Sequence, residues 1–203
     1  MQSHPEARAI ADRFMFDTGN LKLLATQLPA GALERSVPGL GWTVREGLVH
    51  LATSQVAHAD SLEWLATMSP TLAADHDEPQ LDAARAAEAE SRPLPAILGD
   101  LDSSLRRLVA RLSELSEEAL ESPVGAQTLL EVLKAWVAHA ASHAIQLLEA
   151  LPELRGDPML LNWLLYQDFS QQPTEFALQQ RLFEEVRERY ASEEDESEQE
   201  DGQ

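Results

Sequence analysis

Apolar residues recur every three or four positions along most of the chain, which is the pattern of amphipathic helices. The first such stretch runs from about Pro5 to Leu28 and is followed by a loop rich in proline and glycine. After the loop, Thr43 and Glu46 have the spacing of a capping box, in which each side chain accepts a hydrogen bond from the other residue's backbone N–H. The pattern therefore predicts a second helix from Thr43 to about Met68.

Two more helices follow in the middle of the chain, of which only the second is long. A shorter helix is predicted over Gln80–Ser91, and a longer one over Pro95–Leu115. A loop over 116–126 leads into a last long helix, for which Gly156 fits the position just past the C-terminus. Four long amphipathic helices are the minimum for a closed bundle, so the predicted fold is an all-α four-helix bundle.

Two further helices are predicted beyond the bundle. Asp157 and Pro158 suit the first positions of a helix over Pro158–Phe169, and a second helix is predicted over Thr174–Tyr190. These segments could close one end of the bundle or cover a partner subunit. The partner interpretation is preferred, because a four-helix bundle is complete without them, and it predicts a homodimer.

The chain is expected to divide into a bundle over 1–155, a helical extension over 156–191 and a disordered acidic tail over 192–203. The tail carries a dense run of acidic residues, which we expect to remain solvated. The net charge of the whole chain is −20, with 15 basic and 35 acidic side chains. Such a field repels a phosphate backbone, so no nucleic-acid partner is expected.

The chain contains no cysteine, so thiol chemistry would need a small thiol from outside. The N-terminal stretch has charges where a signal peptide needs an apolar run, and no stretch approaches eighteen uninterrupted apolar residues. We therefore expect a cytoplasmic protein with no membrane partner.

Two histidines stand four residues apart near the end of the last long helix. His139 and His143 differ by only about 40° around the helix axis, so both imidazoles could bind one ion. They lie beside the apolar stripe of that helix, and the alternative is a pair of structural histidines with satisfied hydrogen bonds. The spacing alone leaves both interpretations open.

The chain resembles a known family in two motifs. The motifs are G-W-T-V-R-E-G-L-V-H-L-A over 41–52 and H-A-A-S-H-A-I-Q over 139–146, and they resemble the metal-binding four-helix bundles that include the DinB-like and YfiT-like proteins and the mycothiol-dependent maleylpyruvate isomerases. The resemblance spans roughly residues 5 to 155. It implies a DinB-like bundle, to which the C-terminal helices are an addition outside the resemblance, and a metal site formed by His50, His139 and His143.

The resemblance also indicates the chemistry. Three imidazoles bind zinc, nickel or a similar divalent ion and leave a coordination position open, as in catalytic sites. Maleylpyruvate isomerases usually have glutamate where this chain has His139, so the ligand set is closer to the DinB-like branch. No glutamate lies between His139 and His143, which leaves the zinc-protease mechanism without its base.

Three other side chains are candidates for a supporting or substrate-binding role. Gln146 follows His143 by one turn and could orient it or bind substrate. His58 is eight residues beyond His50, too far to share one ion, and suits a polar role beside the site. Arg45 could meet an anionic substrate, although an exposed arginine in a first helical turn needs no such role.

Two functions follow from these observations. The first is a divalent-metal-dependent enzyme that activates a small thiol or water on a small-molecule substrate, as a thiol S-transferase, an isomerase or a hydrolase. The second is a non-catalytic metal-binding bundle that acts as an interaction or stress-response protein. A catalytic site needs a pocket beside the ion, whereas a structural site is closed by a fourth protein ligand.

Overall fold

The computed structural model describes residues 4–65, 92–165, 167–170 and 172–200, and within them the all-α prediction is confirmed. The four bundle helices are α1 Pro5–Thr26, α2 Val44–Leu65, α3 Leu94–Glu114 and α5 Leu129–Glu149, and the shorter or peripheral elements are α4 Glu117–Leu120, α6 Pro158–Leu165, α7 Pro173–Glu200, β1 Pro123–Val124 and β2 Gln127–Thr128. Single 3₁₀ turns lie at Ala32–Glu34 and Pro152–Leu154. The helix predicted over Gln80–Ser91 lies outside the described residues.

The four long helices close around an apolar core that consists of two clusters of buried residues. Helices α1 and α2 each pack against both α3 and α5, so the order around the bundle is α1, α3, α2, α5. The predicted stripes face this core, where the buried members include Ile10, Phe14, Leu21, Leu24, Ile97, Leu101, Leu108, Leu112, Leu129, Leu133 and Leu147. Burial of such side chains stabilises the fold by roughly 1.5–3 kcal/mol each.

Capping boxes fix the N-termini of the two helices that carry the histidines. The predicted box at α2 is present: Glu46 N–H donates to Thr43 Oγ1 over 3.2 Å, and Thr43 N–H donates to Glu46 Oε2 over 2.6 Å. A second box, not predicted, joins Thr128 to Glu131 at the start of α5. The hairpin of β1 and β2 precedes it, with Gly125 at φ 63° in the two-residue turn. Both helices therefore begin at defined residues.

Helix α5 ends earlier than the sequence analysis expects. Its last residue is Glu149, and Ala150 is the C-cap, so Gly156 is not the residue that follows the helix. Pro152 explains the difference, because proline has no N–H to donate and disfavours helical backbone in the residue before it. Leu151 accordingly leaves the helix at φ −125° and ψ 63°. The predicted start of the next helix is correct, since Asp157 caps α6.

The C-terminal helices pack against the bundle of their own chain. Trp163 of α6 is completely buried, and its indole donates a hydrogen bond of 2.8 Å to Asp17 Oδ1 of α1. The same oxygen accepts a bond of 3.0 Å from Gln167 Nε2, and Arg13 pairs with the other carboxylate oxygen. This face of α6 is therefore covered by α1 of the same chain, and contact of the C-terminal helices with a partner subunit stays a prediction. The homodimer stays a prediction.

Helix α7 packs against α5 and is longer than predicted. Leu182 and Val186 of its apolar seam are buried as expected. The backbone is helical as far as Glu200, whereas the sequence analysis places a disordered tail from Ser192. Propagating an existing helix fixes one residue for each new hydrogen bond, and glutamate and glutamine are good helix formers. In the described part of the chain, no helix has both the length and the apolarity to cross a membrane.

Candidate metal centre

The three predicted histidines come together between α2 and α5. His50 of α2 is only 7% exposed, and its Nε2 lies 3.1 Å from Nε2 of His139 on α5. His143 stands one turn further along α5, and its ring centroid is 4.7 Å from that of His50 and 4.5 Å from that of His139. One ring from α2 and two from α5 therefore face a common point.

The donor set suits a divalent ion. One ring nitrogen from each histidine can be chosen so that all three lie within 4.8 Å of one another. Zinc binds imidazole nitrogen at about 2.0–2.1 Å, so two nitrogens on one tetrahedral ion are separated by roughly 3.3 Å. The separation of 3.1 Å between His50 and His139 is close to that value. The arrangement fits a metal site without rearrangement of the backbone.

The indole of Trp42 covers one side of the histidine group. Its ring centroid lies 4.8 Å from His50 and 5.5 Å from His143. Trp42 lies just before the capping box of α2, in a loop held by a hydrogen bond of 2.6 Å from Val37 N–H to the Trp42 carbonyl. No role at the metal site was predicted for Trp42, although its place in the G-W-T motif was a usable signal. Its half-buried ring shields the imidazoles from solvent on that side.

A chain of hydrogen bonds leads from His143 to the C-terminal extension. Gln146 Oε1 lies 2.8 Å from His143 Nδ1, so Gln146 contacts the histidine as the sequence analysis considered. The amide nitrogen of Gln146 donates to Glu175 Oε1 over 3.1 Å, and Ser142 Oγ donates to the same oxygen over 2.9 Å. Glu175 belongs to α7, and no sequence motif pointed to it.

His58 lies beside the group but does not join it. Its ring stacks on Trp136 at 4.2 Å between centroids, with 8° between the planes. His58 and His139 both line a cavity of about 10 Å³ between α1, α2 and α5, whose polar walls also include Thr18 and Gln55. A cavity of that size has room for about one water molecule. A supporting polar role for His58 remains a prediction.

Arg45 is placed away from the histidines. Its guanidinium pairs with Glu34 at 3.0 Å and donates to the Arg92 carbonyl over 3.1 Å. Five residues separate Arg45 from His50, which turns their side chains about 140° apart on the helix. Arg45 instead lines an open groove of about 620 Å³ near the C-terminus of α1.

Two neighbouring helices of the bundle present three histidines to one point. The protein is therefore of the class of helical bundles with a candidate divalent-metal site. The model of the DinB superfamily matches residues 16–147, which include α2, α3, most of α5, the C-terminal half of α1 and all three histidines. The chain therefore belongs to the DinB superfamily. The comparisons with curated proteins and with solved structures found no match. Helices α6 and α7, with Glu175, lie beyond the matched residues.

Proposed function

We propose that the protein is a divalent-metal-dependent enzyme in which His50, His139 and His143 are the metal ligands. Zinc or nickel is the proposed ion, because both bind imidazole nitrogen well. The observation that supports the proposal is the close approach of the three histidines, whose ligating atoms lie within 4.8 Å of one another. Within the described ranges, no other His, Cys, Asp or Glu belongs to this group, so a coordination position is left for a small molecule.

The proposed reaction uses a small thiol or water against a small-molecule substrate. A divalent ion at this position would favour the deprotonated form of either nucleophile near neutral pH. The chain itself supplies the ligand nitrogens, and Trp42 shields them from bulk water. Any thiol must come from outside, because the sequence has no cysteine. Thiol S-transfer, isomerisation and hydrolysis all suit this arrangement.

One observation favours the second candidate, a non-catalytic metal-binding bundle that acts as an interaction or stress-response protein. The cavity that borders His139 measures only about 10 Å³. Sites for drug-sized ligands are typically about 300–1,000 Å³, so this cavity could admit such a ligand only if the helices around it moved. A water molecule or a very small thiol makes the least demand on this space.

A titration of the cobalt(II)-loaded protein with small thiols tests the catalytic proposal. The ligand-dependent visible bands of cobalt should change when a thiol binds at the open position, because sulfur is a softer donor than water. The His143→Ala variant is the matched control and should give no such change. If the cobalt bands do not change with any thiol, and neither electrophiles nor hydrolysable esters are turned over, the non-catalytic bundle would be favoured. The cytoplasmic location and the homodimer remain part of the proposal.

A further inference from the structure

A carboxylate from outside the matched family region lies behind one of the candidate ligands. Glu175, in the first turn of α7, accepts hydrogen bonds from Ser142 Oγ and Gln146 Nε2 of α5 through a single oxygen, Oε1. The two donors lie one residue before and three residues after His143. The carboxylate is therefore one side-chain amide away from the imidazole.

Hydrogen-bond chemistry fixes the direction of this chain of contacts. An ionised carboxylate only accepts, so Gln146 must turn its NH₂ group towards Glu175. The amide oxygen then faces His143 Nδ1 at 2.8 Å, and since that oxygen also only accepts, Nδ1 must carry the proton. Neutral imidazole has one N–H, so the lone pair is left on Nε2.

We propose that Glu175 is a positioning residue for the metal site: acting through Gln146, it holds His143 in the tautomer whose Nε2 can bind an ion. The proposal rests on the proposed function, because it assigns His143 as a ligand. Groups that orient metal-binding histidines in this way typically change metal affinity by about 10–100-fold when they are removed. The C-terminal extension thereby contributes to a site whose ligands all lie in the family domain.

A simpler role for Glu175 would be to dock α7 on α5. That role predicts a loss of thermal stability on mutation but no change in the His143 tautomer. The two roles are therefore separated by measuring the imidazole itself. Nitrogen-15 NMR of the metal-free protein reports which ring nitrogen carries the proton, and about pH 8 keeps an ordinary imidazole neutral.

The test compares Glu175→Gln with Glu184→Gln. Glu184 is exposed on the same helix nine residues further on, which places it on the opposite side of α7, so the control removes the same charge. The Glu175→Gln amide can donate to Gln146 and allow that amide to flip. We expect His143 to become a mixture of tautomers and the zinc dissociation constant to rise about 10–100-fold. The wild type and Glu184→Gln should keep the Nδ1–H form and the tighter binding.

A second variant keeps the proposal testable if Glu175→Gln does not fold. Gln146→Met removes the amide but leaves the contact between Ser142 and Glu175, and it should give the same mixed tautomer. The zinc dissociation constant of the double variant should be no higher than that of either single variant, because both changes interrupt the same chain of hydrogen bonds. Unchanged tautomer and unchanged zinc affinity in Glu175→Gln or in Gln146→Met would overturn the positioning role. A wild type that binds no zinc would instead refute the proposed function, since the tautomer is read without metal.

Discussion

Gly47 of α2 lies so close to Leu147 of α5 that a Cβ atom at Gly47 would stand 2.6 Å from Leu147 Cδ2. The contact is one turn from two candidate ligands, because Gly47 precedes His50 by three residues and Leu147 follows His143 by four. Leu147 is fully buried, so it has little room to move. The absence of a side chain at Gly47 therefore lets the two helices approach closely enough for their histidines to meet.

Gly47→Ala should destabilise the protein and weaken metal binding. Overpacking a core contact costs about 1–3 kcal/mol, which exceeds the gain of roughly 1 kcal/mol from replacing a helical glycine by alanine. The control is Gly99→Ala in α3, where a Cβ would meet nothing within 4 Å. This substitution should stabilise the helix, because alanine loses less backbone entropy on folding than glycine. Urea unfolding gives the free energies, and zinc titration gives the affinity. Equal stability of the two variants would show that the close approach does not limit the packing.

Tryptophan fluorescence should report metal binding through Trp42. Its ring centroid lies 4.8 Å from His50 and 5.5 Å from His143, so nickel held by the histidines would quench it at short range. We expect Trp42→Phe to lose most of the nickel-dependent quenching, although three of the four tryptophans remain. Trp136→Phe is the control, because Trp136 stacks on His58 rather than on the histidine group. Quenching that survives in Trp42→Phe but disappears in Trp136→Phe would place the ion elsewhere.

Trp163→Phe should loosen the C-terminal extension from the bundle. The change removes the indole N–H that donates to the buried carboxylate of Asp17. A hydrogen bond to a charged group contributes about 1.5–3 kcal/mol, so we expect a loss of about 2 kcal/mol in the free energy of unfolding. Met159→Leu, at a site 59% exposed on the same helix, should change stability by less than about 0.5 kcal/mol. A neutral effect of Trp163→Phe would contradict the intrachain docking.

The bundle could be predicted from the sequence because its determinants are local. Helical periodicity identified the core-facing residues, and the spacing of Thr43 and Glu46 identified the start of α2. The same spacing at Thr128 and Glu131 was equally readable and was missed. Pro152 was also a local signal for the end of α5, and because it was not used, the end of the helix was predicted too late. These differences come from incomplete use of local signals.

The candidate site was predictable only in part. The three histidines came from a spacing and a resemblance, both of which are visible in sequence. The position of Trp42 depends on a loop held by backbone hydrogen bonds, and that of Glu175 on how α7 docks against α5. The contacts of Glu175 join residues that are about thirty positions apart, and neither these contacts nor the loop hydrogen bonds carry a periodic signal. These contacts can be identified from the structure but not from the sequence.

The most direct test of the metal site is elemental analysis of the purified, tag-free protein beside its histidine variants. We expect about one divalent ion per chain in the wild type, and loss of that ion in His50→Ala, His139→Ala and His143→Ala with most helicity retained. His58→Ala is the control and should keep the ion, because His58 stacks on Trp136 outside the three-histidine group. A wild-type protein that holds no metal, and takes up neither zinc nor nickel when they are added, would contradict the account.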